Sequence, residues 1–144
     1  MSITTRLKVL LAAMILSVSP AAVAGYTMAA PEIEAALRGI TLDGTYYDGS
    51  FFSETYFDDG SIRYHDALGA DSGDWSVRGD MFCTFYDALQ GSCFFVVREG
   101  ENCFTFFEPE RGPDGEIVPR ESWTSRGWNR EHQATCNKPP EAVI

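Results

Sequence analysis

The pattern of apolar and polar side chains changes character along this chain. Near the start, Val9 to Val18 is an almost unbroken apolar run, closed by Ser17, Ser19 and Pro20. From Pro31 to Arg38 the residues Pro-Glu-Ile-Glu-Ala-Ala-Leu-Arg predict a helix of two turns. Proline stands at a favoured first-turn position, acids follow it, and Arg38 and Gly39 supply the stop. After Gly39, aromatic and β-branched residues are punctuated at short intervals by Gly, Asp and Asn, which is the texture of a β-meander.

Within the meander, 44 to 57 predicts one long strand, or two divided at Asp48-Gly49. Asp58-Asp59-Gly60-Ser61 then turns the chain into a strand over 62 to 66. Residues 67 to 73 are small and polar and predict a loop, before Trp75-Ser76-Val77-Arg78 alternates as a half-buried strand does. Strands are expected over 81 to 87, 92 to 98 and 102 to 108. The run Phe94-Phe95-Val96-Val97 is apolar on both faces, as a strand covered on both sides would be. The Pro- and Gly-rich stretch 109 to 120 predicts a loop, 122 to 128 a last strand, and nothing definite follows Asn129. The fold class expected is all-β: an antiparallel meander of six to eight strands forming a small barrel or sandwich, with a short N-terminal helix.

The chain has 144 residues, and its first segment reads as an address. Arg6 and Lys8 precede the apolar run, and Ala22-Val23-Ala24 closes it with small residues at alternate positions, so cleavage is expected between Ala24 and Gly25. A membrane span needs about 20 apolar residues, twice what this run offers. Residues 25 to 144 are then expected to form one β-rich domain, periplasmic or secreted and not membrane-spanning. Its parts are a helix near 31 to 38, a meander near 44 to 108, and a loop and tail over 109 to 144. The net charge of −10 becomes more negative when Arg6 and Lys8 leave, which excludes nucleic acid as a natural partner.

An oxidising compartment turns the 4 cysteines, Cys83, Cys93, Cys103 and Cys136, into candidate disulfides. Three connectivities are open. Short loops close most readily, which favours Cys83 with Cys93 and leaves Cys103 for Cys136. A zinc site built on His132 and Cys136 is the competing reading, but the cysteines are not spaced as zinc thiolates usually are.

Tyr56-Phe57-Asp58-Asp59-Gly60, then Gly73-Asp74-Trp75-Ser76-Val77-Arg78-Gly79-Asp80, then Cys83 and the Cys93-Phe94 pair together resemble small exported bacterial proteins grouped as domain of unknown function 995. The likeness spans about residues 40 to 108. It implies an exported β-rich domain with a Cys83–Cys93 bridge, and it implies no activity. Cys103 and Cys136 lie outside it.

The inventory for catalysis is thin. Beyond residue 24 there are two histidines, His65 and His132, and one lysine, Lys138, and no nucleophile elbow, phosphate loop or paired-His zinc motif occurs. No cofactor or metal is expected, and no catalytic residue is assigned. Asp71-Ser72-Gly73-Asp74 lacks the alternating ligands of a calcium loop. Two resources remain. One is a candidate acidic face of Glu54, Asp58, Asp59, Asp66 and Asp74; the other is a set of candidate binding aromatics, Tyr56, Tyr64, Trp75 and Tyr86. The expected function is a non-enzymatic binding or envelope-associated module. Its acidic surface suits a basic exported protein, in the manner of an inhibitor. The alternatives are a two-carboxylate hydrolase of envelope polysaccharide, which needs two acids across a cleft, and a carrier of a small apolar ligand, which needs a cavity.

Overall fold

The computed structural model describes residues 25–136. The export signal expected over 1–24 lies outside the described residues, as does the end of the tail after Cys136. In chain order the elements are β1 (Tyr26–Thr27), α1 (Ala30–Leu37), β2 (Thr41–Tyr46), β3 (Phe51–Tyr56), β4 (Ser61–Asp66) and β5 (Ala70–Arg78). There follow β6 (Met81–Tyr86), β7 (Ser92–Arg98), β8 (Phe104–Phe107), β9 (Pro109–Arg111), β10 (Ile117–Pro119) and β11 (Ser125–Asn129).

Each strand from β2 to β8 pairs antiparallel with the next, and β11 enters between β8 and β2 to close an 8-stranded barrel. In the last strand Gly127 faces Gly44 of β2 and Phe104 of β8. Closure removes every edge from these strands. Side chains alternate inward and outward, so Phe52, Glu54 and Tyr56 of β3 share the interior with Ile62 and Tyr64 of β4, Trp75 of β5 and Phe82 of β6.

The hairpins repeat one device. Asp48-Gly49-Ser50 and Asp59-Gly60-Ser61 each place glycine at positive φ, 86° and 88°. In each, the aspartate Oδ1 accepts the serine N–H at 2.9 Å and its hydroxyl at 2.6 Å. Side-chain acceptance of the following backbone N–H is what makes Asp a turn residue.

One end of the barrel is plugged. The α1 helix starts with the Ala29 N–H donating to Glu32 Oε2 at 2.8 Å and the Ala30 N–H to Asp80 Oδ1 at 2.9 Å, which pins it to the β5–β6 turn. Ile33 and Leu37 are fully buried, with Met28, against Tyr56, Trp75 and Phe82. Arg38 holds the helix end by donating to Asp58 O at 2.7 Å and by lying over the Trp75 ring. Burying such side chains stabilises by about 1.5–3 kcal/mol each.

Both disulfides follow the pairing that loop length favours: Cys83 with Cys93, and Cys103 with Cys136. The first joins residues directly opposite each other on β6 and β7, whose Cα atoms are 4.0 Å apart. The second ties the tail to the turn after β7, where Asn102 also donates to three tail carbonyls, those of Asn129, His132 and Gln133. With Cys136 bonded to Cys103, the zinc reading has lost its thiolate.

Some expected boundaries are corrected. Residues 70 to 73 are strand, because Ala70 and Asp71 pair with His65 and Tyr64, and Asp71 Oδ2 receives the Ala88 and Leu89 N–H groups of the next loop. The stretch 109 to 120 is not a plain loop: β9 and β10 pair within it. Of the two readings of 44 to 57, the pair of strands divided at the Asp48-Gly49 turn is the one observed. Across the turn after β7, Glu99 stands opposite Cys103 and donates its N–H to the Cys103 carbonyl at 2.9 Å.

Candidate functional site

The unplugged end of the barrel opens into a cavity of about 200 Å³. Its walls are Phe52, Phe82, Phe94 and Phe106, its deeper polar lining is Glu54, Thr84 and Tyr86, and its rim carries Gln90, Ser92, Glu108 and Thr124. Gly44 makes room for one wall: a Cβ there would lie 2.5 Å from Phe52 Cζ and 2.7 Å from the Arg126 carbonyl, so only glycine lets that ring cross the barrel. The rings form a chain of contacts. Phe82 meets Phe106 at 5.8 Å between centroids, and Phe106 meets Phe94 edge-on at 6.3 Å.

Glu54 is the unusual member. It projects inward from β3, is 7% exposed, and accepts hydrogen bonds from Tyr56 Oη, at 2.5 Å on Oε2, and from Tyr86 Oη on Oε1. Burial pushes its carboxyl above the usual range, while the two tyrosine hydroxyls pull the other way. The hydroxyls of Tyr56 and Tyr86 are in turn driven up, by burial and then by the charge of Glu54. Among the described residues no arginine, lysine or histidine forms an ion pair with Glu54.

A second relay lies nearer the rim. Tyr46 Oη donates to Tyr64 Oη at 3.1 Å, and Tyr64 Oη donates to Asp66 Oδ2 at 2.7 Å. Asp66 also receives the Leu68 and Gly69 N–H groups, and these bonds, that of Tyr64 first, hold its carboxyl below the ordinary value. Glu108 at the rim pairs with Arg120 at 2.9 Å.

The residues singled out in the sequence are therefore dispersed by the fold. Of the candidate aromatics, Tyr86 lines the cavity, Tyr56 lies beneath Glu54, Trp75 belongs to the plugged floor with its Nε1 donating to Phe57 O, and Tyr64 joins the rim relay. Of the candidate acids, Glu54 is inside, Asp58 and Asp59 sit in the β3–β4 turn beside the floor, Asp66 is at the opposite end, and Asp74 is exposed on β5. His65 is exposed on the outer wall, where it lines a shallow groove with Asp43 and Arg130. Among the described residues no group of three His, Cys, Asp or Glu side chains is placed to hold a metal ion.

Of the lining residues only Glu54 and Tyr86 were among the candidates singled out; Tyr46, Phe52, Phe82, Thr84, Phe94, Phe106 and Glu108 were not. The signal for Glu54 was present, since it falls between Phe52 and Tyr56 in the two-residue period that marks the inner face. A wider groove of about 1030 Å³ lies outside the floor, between α1 and residues 129 to 135. Its polar groups are occupied by the fold: Glu32 caps α1, Arg98 donates to Glu101 O at 2.6 Å, and Asn102 holds the tail. The barrel cavity instead offers aromatic walls and an uncompensated acid. No family model, no curated protein and no solved structure matches this chain.

Proposed function

We propose that this protein is a non-enzymatic binding module, acting outside the cytoplasm, that holds a small, largely apolar molecule inside the barrel. The observation behind it is the cavity itself: about 200 Å³, walled by aromatic rings, open at one end and floored by one buried carboxyl. An engineered apolar cavity of about 150 Å³ takes up benzene, so a single ring or a short chain suits this volume. The two disulfides support the extracytoplasmic part of the reading, since such bridges persist where thiols oxidise.

Hydrolysis of a polysaccharide has one feature in its favour, that Glu54 and Glu108 line the same cavity. The volume argues against it, because sites that bury ligands of disaccharide size run to about 300–1,000 Å³. A docking face for a basic protein has less support, because the acids named for it divide between the interior, the floor and the rim.

The test is a thermal-shift and ligand-observed NMR screen of single-ring fragments against the wild type and Ser125→Leu. Ser125 lines the cavity from β11 and is buried, so leucine there fills the space from inside. Binding to the wild type that disappears in Ser125→Leu supports the reading. Fragments that bind both proteins alike, or neither, overturn it.

A further inference from the structure

We propose that the occupant of the cavity is a small organic amine, one ring or short chain carrying a protonated nitrogen, with that ammonium docked on the Glu54 carboxylate. The inference rests on the cavity being a binding site, and it adds the ligand's charge.

A carboxylate placed in a protein interior normally has a cation beside it, because an isolated buried charge is costly. Glu54 has two tyrosine hydroxyls instead, and no cationic side chain pairs with it among the described residues. Two oxygens can accept about four hydrogen bonds. The tyrosines use two of them, and Glu54 faces the open volume of the cavity. An alkylammonium brings three N–H donors and the missing positive charge.

The rest of the lining favours the same ligand. Phe52, Phe82, Phe94 and Phe106 line the same cavity, and an aromatic ring attracts a cation held over its face. The chain carries a net charge of −10, so an approaching cation is drawn in and an anion is turned away. A neutral hydrocarbon would fill the volume and leave Glu54 as uncompensated as before. An anion would meet the Glu54 carboxylate.

The experiment compares three probes of one shape by calorimetry on the wild type: 2-phenylethylamine, 2-phenylethanol and phenylacetate. The amine is expected to bind at least about tenfold more tightly than the alcohol, the worth of one charge-assisted hydrogen bond, with phenylacetate the weakest. In Glu54→Gln the amine is expected to lose that advantage while the alcohol keeps its affinity. Equal binding of amine and alcohol, or an amine unaffected by Glu54→Gln, overturns the amine assignment and leaves the cavity reading standing. Failure of all three probes, together with a failed fragment screen, overturns both. The ranking on the wild type decides the matter even where the Glu54 variant does not fold.

Discussion

The two ends of this barrel are built from the same strands and do opposite things. At the floor, Tyr56 is fully buried, Trp75 is 5% exposed, and Ile33 and Leu37 of α1 fill the remaining space. Its polar atoms are matched as well, with Trp75 Nε1 on Phe57 O and Arg38 on Asp58 O. At the mouth, Phe94 is only half-buried, Tyr86 and Ser92 border open volume, and the Glu54 carboxyl lies at depth with no cationic partner among the described residues. The contrast puts the packed core at one end and the open volume at the other, and a closed sheet allows it because hydrogen bonding around the wall does not depend on what fills the middle.

The sharpest way to break that division is to delete a ring at each end. Trp75→Ala removes ring contacts with Tyr56 and Phe82, a hydrogen bond and the seat of Arg38, and is expected to cost about 5 kcal/mol in a urea titration, the upper end for such truncations. Phe94→Ala at the mouth is expected to cost only about 1 kcal/mol, since its ring is partly in water already. Equal losses would refute the division.

The disulfides sharpen it further. Replacing Cys83 and Cys93, 10 residues apart on the wall, is expected to cost about 3 kcal/mol on the chain-entropy account, measured by denaturation of the double alanine variant.

Acid–base behaviour separates inside from outside next. Burial raises the Glu54 carboxyl above its usual 4.5, so the contribution of this group is fully present below that value and is lost as pH rises through the raised one. Asp43, held below its ordinary value by Arg130 on the outer wall, has the opposite trend: its contribution is present above 3.8 and is lost as pH falls through the lowered value. Melting temperatures measured across pH should therefore decline less on the alkaline side in Glu54→Gln than in the wild type, while Asp43→Asn should lower them above pH 3.8 and flatten their decline on the acid side. The smallest effect is expected at the rim, where Arg120→Ala breaks an ion pair with one partner 55% exposed, and chemical denaturation should register less than about 1 kcal/mol.

Much of the wall was legible because one face is wet. Trp75-Ser76-Val77 alternates visibly, and the Asp-Gly-Ser turns announce themselves by residue type. The start of β5 was not legible, because Ala70-Asp71-Ser72-Gly73 has no apolar face to read; its strand state is set by His65 and Tyr64 across the sheet and by Asp71 reaching the loop at 88 and 89. The role of β11 was hidden for the same reason: its partners, β2 and β8, lie far away or across an excursion in sequence. At the site, Tyr86 and Glu54 were among the residues singled out, but the phenylalanines of the lining were not. Which rings face a void rather than one another depends on the closure of the barrel, to which no short window of sequence refers.

The place of β11 decides whether the molecule has an interior at all. Without residues 125 to 129, β2 and β8 would each present an unpaired row of backbone groups, and the sheet would stay open. The final wedge creates the interior, and Cys136, seven residues beyond it, then latches the seam to Cys103.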